Sequence, residues 1–240
     1  MTRAYGKMLT VVSCLPRGLG TVWATALAHA SRDERVSKDV QVARERDPAS
    51  VTRTDFLREC AWAIFGGGVR FQTLMPKWPH LEKAFRQWDV ERVMAEAADV
   101  RAEVLGIWNH RGKVEAVLAI ASKVSGDGWS EVATRFVDGL ESDVRGNLRL
   151  SRDLICYLDG FPWVGPTLAA YIAKNLGAAS IKPDIWMRRL ALWLGYQGDP
   201  VGVWQMALDI QALTGEKINV VDTVLWNWAR VQPCLRQAAS

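Results

Sequence analysis

The chain has 240 residues, a formal net charge of +4 and a sequence pI of about 9.0. Hydrophobic residues make up 49% and charged residues 23%, a globular balance that excludes a charge-rich disordered chain. No apolar run is long enough to cross a bilayer, and the four scattered cysteines and three histidines have no zinc or iron–sulfur spacing, so neither a metal nor another cofactor is expected.

Arg3 and Lys7 precede an apolar run from Met8, and Ala26-Leu27-Ala28 resembles a cleavage site. Pro16, Arg17, Gly18 and Gly20 interrupt that run, so the segment reads as a packed N-terminal piece of a cytoplasmic protein. Thr21 to Ala30 predicts a short helix. Ser31 to Arg53 is charge-rich, and reads either as a surface helix carrying Val36, Val40 and Ala43 or as a loop. Thr54 or Asp55 is expected to cap a helix reaching Phe65, with Phe56, Cys60, Ala63 and Ile64 on one side. Gly66-Gly67-Gly68 then breaks the pattern and permits a sharp turn or a close approach by a ligand. Short helices are expected around Phe71 to Met75, Pro79 to Trp88, Val90 to Ala97 and Ala102 to Leu105. Lys113 to Ser125 and Trp129 to Leu140 carry longer amphipathic patterns.

The most informative stretch is Leu158 to Gly195. Ser151 can cap a helix that places Leu154, Ile155 and Leu158 on one face. A turn follows, Gly160-Phe161-Pro162-Trp163-Val164-Gly165-Pro166, in which Gly165 can take positive φ and Pro166 suits a first helical position. Leu168, Ala169, Ile172, Ala173 and Leu176 then line one helix face, and Pro183-Asp184 opens another helix that Gly195 ends. This is compatible with an ordinary αα-hairpin, and also with an anion site in which amides entering a helix N-terminus meet a phosphate. Val201 to Leu213, and Thr223 to Val231 capped by Asp222, complete an all-α pattern with no strand, repeat or low-complexity tract.

The stretch from Phe161 to Gly165, with Ala169-Ala170-Tyr171 and then Pro183-Asp184-Ile185-Trp186, resembles the helix-hairpin-helix plus Gly/Pro-Asp signature of the DNA glycosylase superfamily that includes endonuclease III. Asn109-His110-Arg111-Gly112-Lys113 resembles a segment of the 3-methyladenine DNA glycosylases, and Arg58-Glu59-Cys60-Ala61 can be laid on the conserved glutamate helix of that family. Two departures are plain: the family's first hairpin glycine is Trp163 here, and its zinc-binding Cys/His set is absent.

The resemblance implies a two-lobed all-α fold with a DNA-binding cleft between lobes. Residues 1–53 and 196–240 would form one lobe, and 54–195 the helical core with the hairpin. It implies a monomeric monofunctional glycosylase that flips a base out of double-stranded DNA and hydrolyses its N-glycosidic bond. Asp184 would be the catalytic carboxylate, with Glu59 a weaker candidate. Val164, Gly165, Thr167, Lys182, Arg188 and Arg189 would contact phosphate, with Arg70, Arg111 and Lys113 as further cations. Trp163, Trp186, Trp62 and Trp108 would line the base pocket, as four of twelve tryptophans. Strand-cutting relatives carry a lysine where Thr167 stands, so no lyase chemistry is expected. Alkylated purines are the expected substrate. A bulky modified pyrimidine of phage DNA, such as glucosylated hydroxymethylcytosine, and a non-catalytic DNA-binding module are the alternatives.

Overall fold

The computed structural model describes residues 18–145 and 148–237, with side chains outside 139–151 and 237. Within them the chain is helical and contains no strand. No helix among the described residues is long and apolar enough to cross a membrane. The start of the N-terminal apolar run, Cys14 and the side chain of Ser151 lie outside what is described.

The chain divides into two compact units, one holding the residues up to Glu45 with those from Pro183 onward, the other Arg46–Lys182. These breaks fall at 45/46 and 182/183, where the sequence reading had 53/54 and 195/196, so Asp184 sits in the unit that contains both ends of the described chain. The charge-rich N-terminal segment is a helix, Glu34–Glu45, which buries Val36 and Val40. It packs, with the Leu19–Arg32 helix, against Ile218–Ala229. That last helix overturns a cap assignment. It begins four residues before Asp222, which is buried inside it rather than standing at its N-terminus. An aspartate before an apolar run reads as a cap, but here the helix starts a turn earlier, after Lys217, which makes no side-chain cap hydrogen bond.

The second unit is built on a core that includes Phe56, Phe65, Phe85, Phe136, Ile120 and Leu158. Each such burial contributes about 2 kcal/mol against leaving the side chain in water. The Arg53–Gly66 helix is capped by Thr52, not Thr54: the Thr52 side chain accepts from the Asp55 amide and Asp55 answers the Thr52 amide. The helix expected to reach Trp88 stops at Ala84. Arg86, Gln87 and Trp88 all take positive φ (54°, 56° and 65°). Packing over-determines this turn, because Trp88 is buried, stacked on Phe85 and Trp78, while Arg86 is paired with Glu96 and Glu103.

The Leu148–Asp159 helix, the turn and the Pro166–Asn175 helix form an αα-hairpin whose two arms pack together. Ser151 lies inside the first arm rather than at its cap. Gly177 ends the second with φ 95°, and a Cβ there would stand 3.1 Å from the Arg46 carbonyl oxygen.

Candidate functional site

In the unit of the two chain ends, Asp184 caps the Ile185–Trp193 helix. Its Oδ1 accepts from the amides of Trp186 (2.9 Å) and Met187 (3.2 Å). Its Oδ2 accepts from the indole Nε1 of Trp226 at 2.7 Å. The helix N-terminus and the indole dipole therefore address both oxygens of one carboxyl group. A carboxylate has about four lone-pair sites, so these three donors leave one, on Oδ2, for a further partner. Trp226 has no place in the sequence reading. Forty-two residues separate it from Asp184, and no spacing rule joins a cap to an indole on a distant helix.

Trp186 is half-buried, with the Arg189 guanidinium 5.2 Å from its ring. Arg189 also donates to the Leu235 carbonyl at 3.3 Å. Arg188 donates from Nε to the Gly198 carbonyl at 2.8 Å and remains exposed. Both arginines thus tie backbone within their own unit, and Arg188 keeps a solvent-facing charge.

In the other unit, the hairpin turn distributes its backbone differently from the sequence expectation. Gly165 has φ −85°, while Trp163 takes φ 63°, so the left-handed residue is the tryptophan. The Val164 amide donates to the Phe161 carbonyl at 3.1 Å and its side chain is buried, which commits that amide to the turn itself. Among the described residues, the amides of Gly165, Thr167 and Leu168 have no acceptor; Gly165 and Thr167 are exposed. These are the donors that a helix N-terminus offers to an anion.

The indole of Trp163 lies on Gly112, where a Cβ would stand 2.7 Å from the ring, and its ring meets His110 edge-on at 5.0 Å. The two stretches singled out in the sequence are therefore in contact. His110 caps the Arg111–Val124 helix by accepting from the Lys113 amide. Lys113 is no phosphate ligand: it is buried, and its Nζ donates to the carbonyls of Phe65 (3.1 Å) and Gly67 (2.7 Å). Burial lowers its pKa. Trp108 is also corrected. It is buried edge-on against Phe65 and belongs to the core, with Lys77 over its ring.

Glu59 lies on the Arg53–Gly66 helix beside the hairpin's second arm. Its Oε1 accepts from Asn175 Nδ2 at 2.5 Å. One turn on, Trp62 donates from Nε1 to the Tyr171 hydroxyl at 3.0 Å and packs edge-on against Trp78 and Phe71. The Lys182 and Lys174 ammonium groups stand 4.3 and 5.5 Å from the centre of the Tyr171 ring. Burial raises the Glu59 carboxyl above its ordinary range, against the opposing pull of Asn175 and Lys174. Burial also raises the Tyr171 phenol, and the nearby Glu59 adds to it. Tyr171, named in the sequence only as part of the hairpin-helix resemblance, and Asn175, which the sequence reading does not name, complete this cluster. The signal was their i, i+4 placement on the hairpin helix, opposite Glu59 and Trp62.

Among the described residues no group of His, Cys, Asp or Glu gathers in a way that could hold a metal ion. Compared with models of known protein families, with curated proteins and with solved structures, the chain matches none.

Proposed function

We propose that the protein is a monofunctional DNA glycosylase of the helix-hairpin-helix type that excises an alkylated purine and leaves an abasic site. The observation that carries this reading is the Asp184 carboxyl, held by three neutral N–H groups with one lone-pair site of Oδ2 left over. Breaking the C1′–N bond leaves its electron pair on the base and positive charge on the deoxyribose. A carboxylate fixed in this way stabilises that charge. The remaining lone pair orients a water whose oxygen adds to C1′ while its proton passes to Asp184. The free amides of Gly165, Thr167 and Leu168 take a backbone phosphate without reading sequence. Trp186, half-buried in the first turn of the helix that Asp184 caps, offers an aromatic face to the extruded base.

A second reading for the base has an observation of its own. The Arg189 guanidinium stands 5.2 Å from the centre of the Trp186 ring, in the same unit as Asp184. This fixed positive charge disfavours a cationic base and favours a neutral one, such as a bulky modified pyrimidine.

Mass spectrometry of bases freed from alkylated DNA, and separately from phage DNA carrying modified cytosine, tests both. Release of one base class by the wild type, reduced at least about a hundredfold in Asp184→Asn, is the expected result. If no base is freed from either DNA, the enzyme reading fails.

A further inference from the structure

Trp163 is the one hairpin residue whose backbone conformation its own side chain disfavours. Its φ of 63° lies in the left-handed region, which costs a non-glycine residue roughly 1–2 kcal/mol. The side chain offsets this only in part, since 52% of the residue remains in solvent. Yet the indole is held in place. Its Nε1–Cε2–Cζ2 side lies against Gly112, which has no Cβ to displace it, and the His110 ring stands perpendicular to it at 5.0 Å.

Polar groups flank Gly112 and the turn at Trp163. Two residues on, a Cβ at Gly165 would meet nothing within 4 Å, so the approach to the acceptor-free amides of Gly165, Thr167 and Leu168 is open. Arg111, beside Gly112, keeps 83% of its side chain exposed, with Glu115 at 3.9 Å as its ion-pair partner. A fixed, half-exposed aromatic ring beside free N–H donors and an exposed guanidinium complements a ligand that alternates anionic groups with apolar rings. The sugar–phosphate strand of DNA has that alternation. Trp163 and Gly165 are at most about 7 Å apart along the backbone, so ring and first free amide address neighbouring parts of one strand.

We infer that Trp163 is itself a DNA contact: the exposed part of its indole packs on the deoxyribose adjoining the phosphate held by the Gly165–Leu168 amides. The inference rests on the glycosylase reading only in taking DNA as the ligand. It gives the hairpin a second, uncharged grip in place of the glycine that the resembled family carries there. Trp163 acts in binding, not in the chemical step.

Duplex DNA without modified bases is the probe, with dissociation constants measured over a range of salt for wild type, Trp163→Gly and Trp163→Asn. Glycine and asparagine both tolerate the left-handed backbone, so the variants remain folded, with melting temperatures checked alongside. The expected result is about tenfold weaker binding by both variants, with an unchanged salt slope because no phosphate contact is lost. The Trp163→Phe variant, which keeps a ring, restores most of the affinity. Wild-type affinity in either folded variant overturns the inference while leaving the glycosylase reading intact. Absence of any salt-sensitive DNA binding by the wild type overturns both.

Discussion

The carboxyl of Asp184 is oriented from two directions, by the first turn of its own helix and by an indole from the Ile218–Ala229 helix. The two amides would orient a capping aspartate in any helix; the Trp226 contact is particular to this chain. Trp226→Phe keeps an aromatic ring near Arg230 and removes the Nε1 donor together with the pyrrole half of the indole. We expect the single-turnover rate of base release to fall about tenfold with DNA affinity unchanged, as measured by rapid quench at saturating DNA. Glu59 offers a second test at this scale. Its pKa is raised in the folded chain by burial, so folding takes up a proton there. Its contribution is fully present below the ordinary carboxylate range and is lost as pH rises through the folded value. Urea unfolding across pH about 4 to 7 should therefore show wild-type stability falling relative to Glu59→Gln as pH rises, then levelling off.

At the scale of elements, the Arg53–Gly66 helix is the organiser of its unit. It presents Glu59 and Trp62 to the hairpin's second arm, and its C-terminal end receives the buried Lys113. The three glycines after Phe65 shape the end of this helix. Gly66 completes the helix, Gly68 takes φ 71°, and the carbonyls of Phe65 and Gly67 are satisfied by Lys113. A lysine in an Asn-His-Arg-Gly-Lys run reads naturally as a surface cation, and sequence carries no signal that it turns inward to cap another helix. Lys113→Ala leaves two carbonyls without their donor and should destabilise the fold by about 2–3 kcal/mol in equilibrium unfolding. The hairpin shows the opposite case. Its helix boundaries were legible from Pro166, Gly177 and the apolar spacing between them. Its backbone was not, because the left-handed position fell to Trp163, where contact with Gly112 holds a conformation the residue alone would avoid.

At the scale of the molecule, the chain divides so that both described ends share a unit with Asp184, while the hairpin, Glu59 and the aromatic cluster belong to the other. The first unit is tied by groups far apart in sequence. Arg44 pairs with Glu216 at 2.6 Å, and Asn219 and Lys217 donate to the carbonyls of Ala43 and Arg44. Lyase chemistry belongs to this scale, because it needs an amine delivered to the sugar after the base has left. On the proposed glycosylase reading Thr167 stands where strand-cutting glycosylases carry a lysine, and Lys174 and Lys182 are engaged with Tyr171. Borohydride treatment during turnover should trap no covalent protein–DNA adduct, as judged by denaturing electrophoresis.

Helix content, the hairpin and the capping role of Asp184 could be read from residues alone, because each depends on neighbours within a few positions. Apolar spacing, proline at a first turn and an acidic cap act over one or two turns of helix. Tertiary structure alone decided the Trp226–Asp184 bond, the Glu59–Asn175 and Trp62–Tyr171 contacts, the inward turn of Lys113 and the seating of Trp163 on Gly112. Each joins residues more than forty positions apart. Which of twelve tryptophans meets a carboxylate, a tyrosine or a glycine is set by how helices pack, and no local pattern in the chain encodes that pairing.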